Sequence, residues 1–226
     1  MSATIKILSG GAMRTLIIEV VPLFERASGI TVEAEFRLTS VLQKEIESDV
    51  VFDLAFLPRP ELEGLALLGK IGPDIVDIAR STVGLAVRAG APKPDISTVS
   101  ALKQTLLAAQ SIAYSDGPSG AYVAELLQRL GIAEAMRPKT KLTSKPVAEL
   151  MASGEAEVGM QQIVAILPIK GAELVGPLPA ELQNVITYAF GVSNSAGQAA
   201  AARAFIQFMT SPEAIRSIRA KGLEPG

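Results

Sequence analysis

Short apolar runs and amphipathic stretches alternate along the chain. Ile5 to Leu8 is an apolar run of strand length. Met13, Leu16, Ile17, Val20, Val21 and Phe24 then recur at the three- and four-residue spacing of one helix face, and Ser28-Gly29 stops that helix. Ile30, Val32, Ala34 and Phe36 alternate with Thr31, Glu33 and Glu35, which predicts a half-buried strand. A short helix over Val41 to Glu47, a strand over Val51 to Leu57 ended by Pro58 and Pro60, and a helix over Glu61 to Leu68 follow. Thr82 to Arg88 reads as a strand with Val83, Leu85 and Val87 on one side. Ser97 or Thr98 can cap a helix carrying Val99, Leu102 and Leu106. Ser111 to Tyr114 is a strand, and the turn Ser115 to Gly120 opens a helix with Val123, Leu126, Leu127 and Leu130 on one face. Val147 to Met151 is helical. Val158 to Met160, Leu174-Val175 and Val185 to Val192 read as strands. Ala199 to Met209 and Pro212 to Lys221 read as the last helices.

This alternation predicts an α/β protein with mostly parallel sheets flanked by helices. No long polar linker, internal repeat or low-complexity tract interrupts it. With 226 residues the chain is long enough for one large domain or two small lobes.

Composition narrows the chemistry. There is no Cys and no His, which excludes a thiolate nucleophile, a Ser-His-Asp triad, imidazole acid–base catalysis and an ordinary zinc site. Carboxylates, Lys, Tyr, Ser/Thr and the backbone remain, and neither a metal nor a cofactor is expected. Lys+Arg is 21 against 23 Asp+Glu, and aromatics are 4%, so neither a basic field nor stacking platforms exist for nucleic acid. No apolar run reaches the ~18–20 residues of a membrane span, and the start lacks the apolar stretch of a secretory signal. The location expected is periplasmic if a signal was removed and cytoplasmic if Met1 is the native start.

In open α/β sheets, ligands bind beyond the carboxyl ends of the strands, where helix N-termini point. The loops Leu8-Ser9-Gly10-Gly11-Ala12, Phe36-Arg37-Leu38-Thr39-Ser40 and Ser115-Asp116-Gly117-Pro118-Ser119-Gly120 take that position. Glycines admit backbone N–H groups to a ligand, and helix ends add partial positive charge, so the loops suit an anion. Each also has a plainer reading. Gly10-Gly11 serves equally as a tight turn, Ser119, Thr39 or Ser40 as helix caps, and Arg14 and Arg37 as solvated charges. Asp53, inside an apolar strand, reads as a structural hydrogen-bonding group. Neither GxGxxG nor GxxxxGK[ST] occurs.

Several stretches, taken in order, carry a resemblance. They are Ile5-Lys6-Ile7-Leu8-Ser9-Gly10-Gly11-Ala12, Phe24-Glu25-Arg26-Ala27-Ser28-Gly29-Ile30-Thr31-Val32, Asp53-Leu54-Ala55-Phe56-Leu57 and Thr82-Val83-Gly84-Leu85-Ala86-Val87-Arg88. Gly117-Pro118-Ser119-Gly120-Ala121-Tyr122, Leu126-Leu127-Gln128-Arg129-Leu130-Gly131 and Phe205-Ile206-Gln207-Phe208-Met209-Thr210-Ser211-Pro212-Glu213-Ala214 complete them. Nearly the whole chain resembles the type II periplasmic-binding-protein superfamily, in its molybdate-binding branch, which also includes aconitate-isomerase-like proteins. The resemblance implies two lobes, residues 1–83 with 188–226 and residues 84–187, joined by two crossing strands that act as a hinge, with a small ligand in the cleft. It also implies a monomer that delivers its ligand to an ABC-type membrane permease.

The resemblance further implies a ligand shell. The family's first-loop Ser corresponds to Ala12, beside Gly11 and Ser9, and its second Ser corresponds to Thr39. Two backbone N–H donors correspond to Ser119 and Val147, and a Tyr hydroxyl corresponds to Gln162, which follows Gln161. Two side-chain donors are thus replaced, while Arg14 and Arg37 flank the loops. A guanidinium fork suits a carboxylate. The expectation is a binding protein for a small organic carboxylate rather than molybdate. The alternative is an isomerase of aconitate type, with Ser115, Asp116 or Tyr122 carrying a proton; Asp116 is a poor base beside a helix N-terminus, and a tyrosine titrating near 10 needs strong activation.

Overall fold

The computed structural model describes residues 3–116 and 118–226, with the backbone alone for Pro118 and Ser119. The first elements are β1 (Thr4–Gly10), a 3-10 turn (Gly11–Met13), α1 (Arg14–Ser28), β2 (Thr31–Arg37), α2 (Thr39–Glu47), β3 (Leu54–Pro58), α3 (Arg59–Leu67) and β4 (Val76–Ser81). Next come β5 (Val83–Arg88), α4 (Val99–Ala108), β6 (Ile112–Ser115), α5 (Pro118–Arg129), α6 (Ala133–Met136) and β7 (Thr140–Thr143). The chain continues with α7 (Val147–Ser153), β8 (Val158–Gln162), α8 (Ile163–Ile166), β9 (Ala172–Pro177) and β10 (Ile186–Val192). It ends in α9 (Ala199–Met209), α10 (Pro212–Ala220) and β11 (Glu224–Pro225).

Two units result, Met1–Arg80 with Ile186–Gly226, and Ser81–Val185. The sheet of unit 1 has the order β11-β4-β10-β3-β1-β2, and the sheet of unit 2 has the order β7-β6-β8-β5-β9. Both sheets are mixed. β1 runs parallel to β2 and β3, while β10 is antiparallel to β3. β6 is parallel to β7 and β8, while β5 is antiparallel to β8 and β9. β11 is antiparallel to β4, and the other antiparallel members arise where the chain enters unit 2 at β5 and leaves it at β10.

Local chemistry explains most boundaries. Gly29, at a φ of 71°, ends α1 in the left-handed conformation. The Thr98 hydroxyl caps α4 by accepting the Ala101 N–H at 3.1 Å. Pro60 occupies the first turn of α3, where its missing N–H has no helical partner to lose, so α3 starts at Arg59 rather than Glu61. β4 and β7 are strands that the apolar pattern does not announce. β7 lies at a sheet edge with Lys141 and Leu142 exposed, and Asp77 and Arg80 interrupt β4.

In unit 1, Leu8, Leu42, Ile46, Leu57, Leu62 and Leu65 bury one sheet face under α2 and α3. An aromatic cluster fills another part of this core: Phe56 stacks on Phe190 at 4.2 Å, and Phe205 meets Phe190 edge-on at 5.6 Å and Phe24 at 4.9 Å. Unit 2 has its own cores. Val83, Leu85, Leu102, Leu106, Leu126 and Met160 lie in one, and Ala113, Val147 and Met151 in the other.

Candidate functional site

Parallel pairing of β1 with β2 in the register Gly10↔Arg37 brings the ends of two predicted loops together in unit 1. Ser9 is fully buried, and its hydroxyl donates to the Gly10 carbonyl at 3.2 Å, so this side chain faces inward. A Cβ on Gly10 would lie 3.2 Å from Thr39 Oγ1, so a side chain at this position would press the threonine back by a few tenths of an ångström. Gly11, Ala12 and Arg14 are exposed at the start of the following helical turns. Thr39 is the first residue of α2; the capping position falls on Leu38, with no side-chain cap, so neither Thr39 nor Ser40 is a cap. The Arg14 N–H, first of α1, donates to the Gly11 carbonyl, and the Val41 and Leu42 N–H groups of α2 both donate to the Leu38 carbonyl at 3.0 Å.

The two arginines differ. Arg37 is held by Glu35 at 2.5 Å and by Glu45 at 3.2 Å. The Lys6 ammonium and the Arg37 guanidinium together hold Glu35 below the usual carboxylate range. Arg14 forms no ion pair among the described residues, and its guanidinium lies 5.2 Å from the centre of the Phe36 ring. Arg14 is therefore the cation whose charge is unmatched at this edge.

The corresponding edge of unit 2 gathers Ser115, Asp116, Val147, Gln161 and Gln162. β6 and β7 pair in the register Ser115↔Thr143, and the Asp116 N–H donates to the Thr143 carbonyl at 3.0 Å. The Thr143 hydroxyl accepts the Lys145 N–H, shaping the turn into α7, whose first residue is Val147. A Cβ on Gly120 would collide with the Ser115 carbonyl, so the turn from β6 into α5 closes only over a glycine. The Ser119 side chain and Gly117 lie outside the described residues. Gln162 ends β8, 8% exposed, and accepts a hydrogen bond from Ser81. Gln161 Oε1 and Gln162 Nε2 are buried without a partner among the described residues.

Tyr122 packs against the unit 2 core, and its hydroxyl donates to the Leu182 carbonyl. Burial raises this phenol above its ordinary value. It is protonated and engaged at neutral pH, which does not suit a proton carrier. Asp53 carries out the structural task expected of it. One carboxylate oxygen accepts the Lys6 N–H and the other the Gln198 N–H, each at 2.9 Å. Asp53→Ala leaves two backbone donors unmatched and is expected to lower stability by about 2 kcal/mol, measured by urea unfolding.

Three residues at these edges escape the sequence reading. Tyr188 pairs with Pro58 where β3 ends, and Glu61 follows in the first turn of α3 with Oε2 buried and unpartnered. Ser81 sits at the end of β4. The loop after β3 holds the same position as the two loops read from the sequence, and that was the available signal for Glu61. No periodic pattern marks Ser81.

A sequence profile for the family described as bacterial extracellular solute-binding protein matches residues 5–224. The chain belongs to this family. This solute-binding protein is 32% identical over 230 residues to an aconitate isomerase of a Pseudomonas species, covering 98% of this chain and 88% of that protein. It is 28% identical over 216 residues to the molybdate-binding protein ModA of Rhodobacter capsulatus, covering 90% and 81%. Among solved structures, the substrate-binding domain assigned to a molybdenum ABC transporter of Clostridium difficile superposes with a TM-score of 0.86 at 18% identity, covering 99% of both chains. The fold is the type II periplasmic-binding-protein fold, as the ordered sequence stretches implied.

Proposed function

We propose that this solute-binding protein takes a small organic carboxylate, with Arg14 beside the strand-end loops of unit 1 as its guanidinium contact. The observation that carries the reading is the uneven state of the two arginines. Arg37 is neutralised by Glu35 and Glu45, while Arg14 stands beside the Gly10–Ala12 turn with no carboxylate partner among the described residues. A guanidinium forms paired hydrogen bonds with a carboxylate. Ala12 supplies no hydroxyl where a tight oxyanion shell needs one, and Gln162 offers an amide. Membership of the family supports the further reading that the ligand passes to an ABC-type membrane permease.

A second reading, isomerisation of a tricarboxylate by a double-bond shift, is favoured by the 32% identity to an aconitate isomerase over almost the whole chain. Both readings use the same carboxylate contacts and differ in whether a proton moves. Trans-aconitate separates them. Saturable calorimetric binding with an unchanged proton NMR spectrum is the result expected of a binding protein, and appearance of the isomer's vinyl signal is the result expected of the enzyme. Arg14→Ala is expected to weaken trans-aconitate binding by about 1–3 kcal/mol. Arg37→Ala is expected to cost less, because that charge is already paired. Unaltered affinity in Arg14→Ala would remove the carboxylate argument.

A further inference from the structure

The amide of Gln162 is held at one end and unsatisfied at the other. β5 and β8 pair in the register Val83↔Gln162, and the Ile163 N–H donates to the Thr82 carbonyl at 2.9 Å. This pairing carries fully buried Ser81 to the glutamine side chain, where Oγ lies 2.5 Å from Oε1. That separation belongs to an O–H···O bond and falls short of the usual N–H···O range. The serine hydroxyl therefore donates, the amide carbonyl accepts, and Nε2 is turned away from Ser81. Nε2 is buried and has no partner among the described residues, on a residue only 8% exposed. An amide nitrogen of this kind carries two donors and accepts nothing. Gln161 Oε1 is also unpartnered, but alternation along the strand places it on the opposite face of β8.

Folded proteins leave few buried donors unmade, because each costs its full desolvation. Gln162 is the last residue of β8, at the carboxyl-end edge where ligands of α/β folds bind, and a donor left unmade there is completed by an acceptor from outside. We propose that Ser81 is a positioning residue that fixes the Gln162 amide, so that Nε2 donates to an acceptor oxygen of a carboxylate ligand. The inference rests on the carboxylate reading above and adds a selection rule to it. The amide is neutral, so it does not rank ligands by charge. It selects for an acceptor at this position, since an oxygen lone pair completes the N–H and a facing N–H or C–H group does not. Without Ser81 the amide can turn over, and the position loses this preference.

The test uses trans-aconitate as the probe, with Gln162→Leu, Ser81→Ala and the double variant compared to the wild type by calorimetry and by ligand-free melting. Gln162→Leu is expected to weaken binding about tenfold or more, and Ser81→Ala several-fold. Ser81→Ala in the Gln162→Leu background is expected to cause no further loss, because its effect passes through the amide. The ligand-free double variant is expected to melt no lower than the wild type, since an unmade donor has been removed. Equal losses from Ser81→Ala in both backgrounds would overturn the proposal. So would a double variant that melts well below the wild type or fails to fold, since the amide then has an internal partner. If the wild type binds no trans-aconitate, the carboxylate reading falls. This proposal falls with it, whereas failure of the Ser81 comparisons in a wild type that does bind overturns this proposal alone.

Discussion

Replacing Phe190 with alanine is expected to lower the stability of the protein by about 3–5 kcal/mol, more than any other single truncation considered. Phe190 is fully buried on β10, stacked on Phe56 at 4.2 Å with the rings 16° apart, and met edge-on by Phe205. Phe205 in turn meets Phe24 of α1 at 82°. The ring thus joins β3 and β10 in the sheet to α9, and through α9 to α1. Its loss removes a large apolar area, two favourable ring geometries and the filling of a space that rigid neighbours cannot close. Phe190→Leu keeps much of the volume and is expected to cost roughly half as much. Urea unfolding with tyrosine fluorescence or circular dichroism gives both numbers. A loss below about 1 kcal/mol for the alanine variant would show that the cluster is not a centre of the unit 1 core.

Alkaline unfolding is expected to depend strongly on Tyr188. This side chain is 6% exposed, and burial, with the negative charge of Glu61 second, pushes its phenol from the ordinary 10 up to about 12. The unfolded chain gives up the tyrosine proton near 10, while the folded protein holds it to about 12. The stability linked to this group is therefore whole below about pH 10 and is lost as pH rises to about 12, by about 3 kcal/mol in all. Tyr188→Phe removes the titrating proton and keeps the ring against Phe56. It is expected to flatten the fall in stability over that interval, leaving the smaller slope from Tyr122, whose phenol burial also raises. Parallel curves for the two proteins between pH 9 and pH 12 would contradict the assignment.

The sequence disclosed the architecture through a few local signals of high contrast. Alternation over Ile30 to Phe36, the helix face from Met13 to Phe24 and the stop at Gly29 each follow from backbone sterics and burial. β4 and β7 were hidden because Asp77, Arg80 and Lys141 break the apolar pattern that strands with two covered faces display. The same contrast divides the site residues. Gly120 was legible within its turn, since the Ser115 carbonyl leaves glycine no substitute there. Ser81 was not, because its significance comes from pairing with a residue eighty-one positions away. The states of Arg14 and Arg37 were equally closed to inspection. Both are arginines beside a loop, and only the placement of Glu35 and Glu45 distinguishes them.

Unit 1 is built from the two ends of the chain, and this orders events during synthesis. β3 leaves the ribosome early, with Phe56 and Leu57 on an edge whose neighbour β10 is not yet translated. Asp53 likewise waits for the Gln198 amide to claim its second oxygen. All of unit 2 must be translated first. A nascent chain halted before Ile186 therefore carries a sticky strand edge and an unfilled aromatic socket, which makes that interval the point at which a holdase chaperone has most to protect.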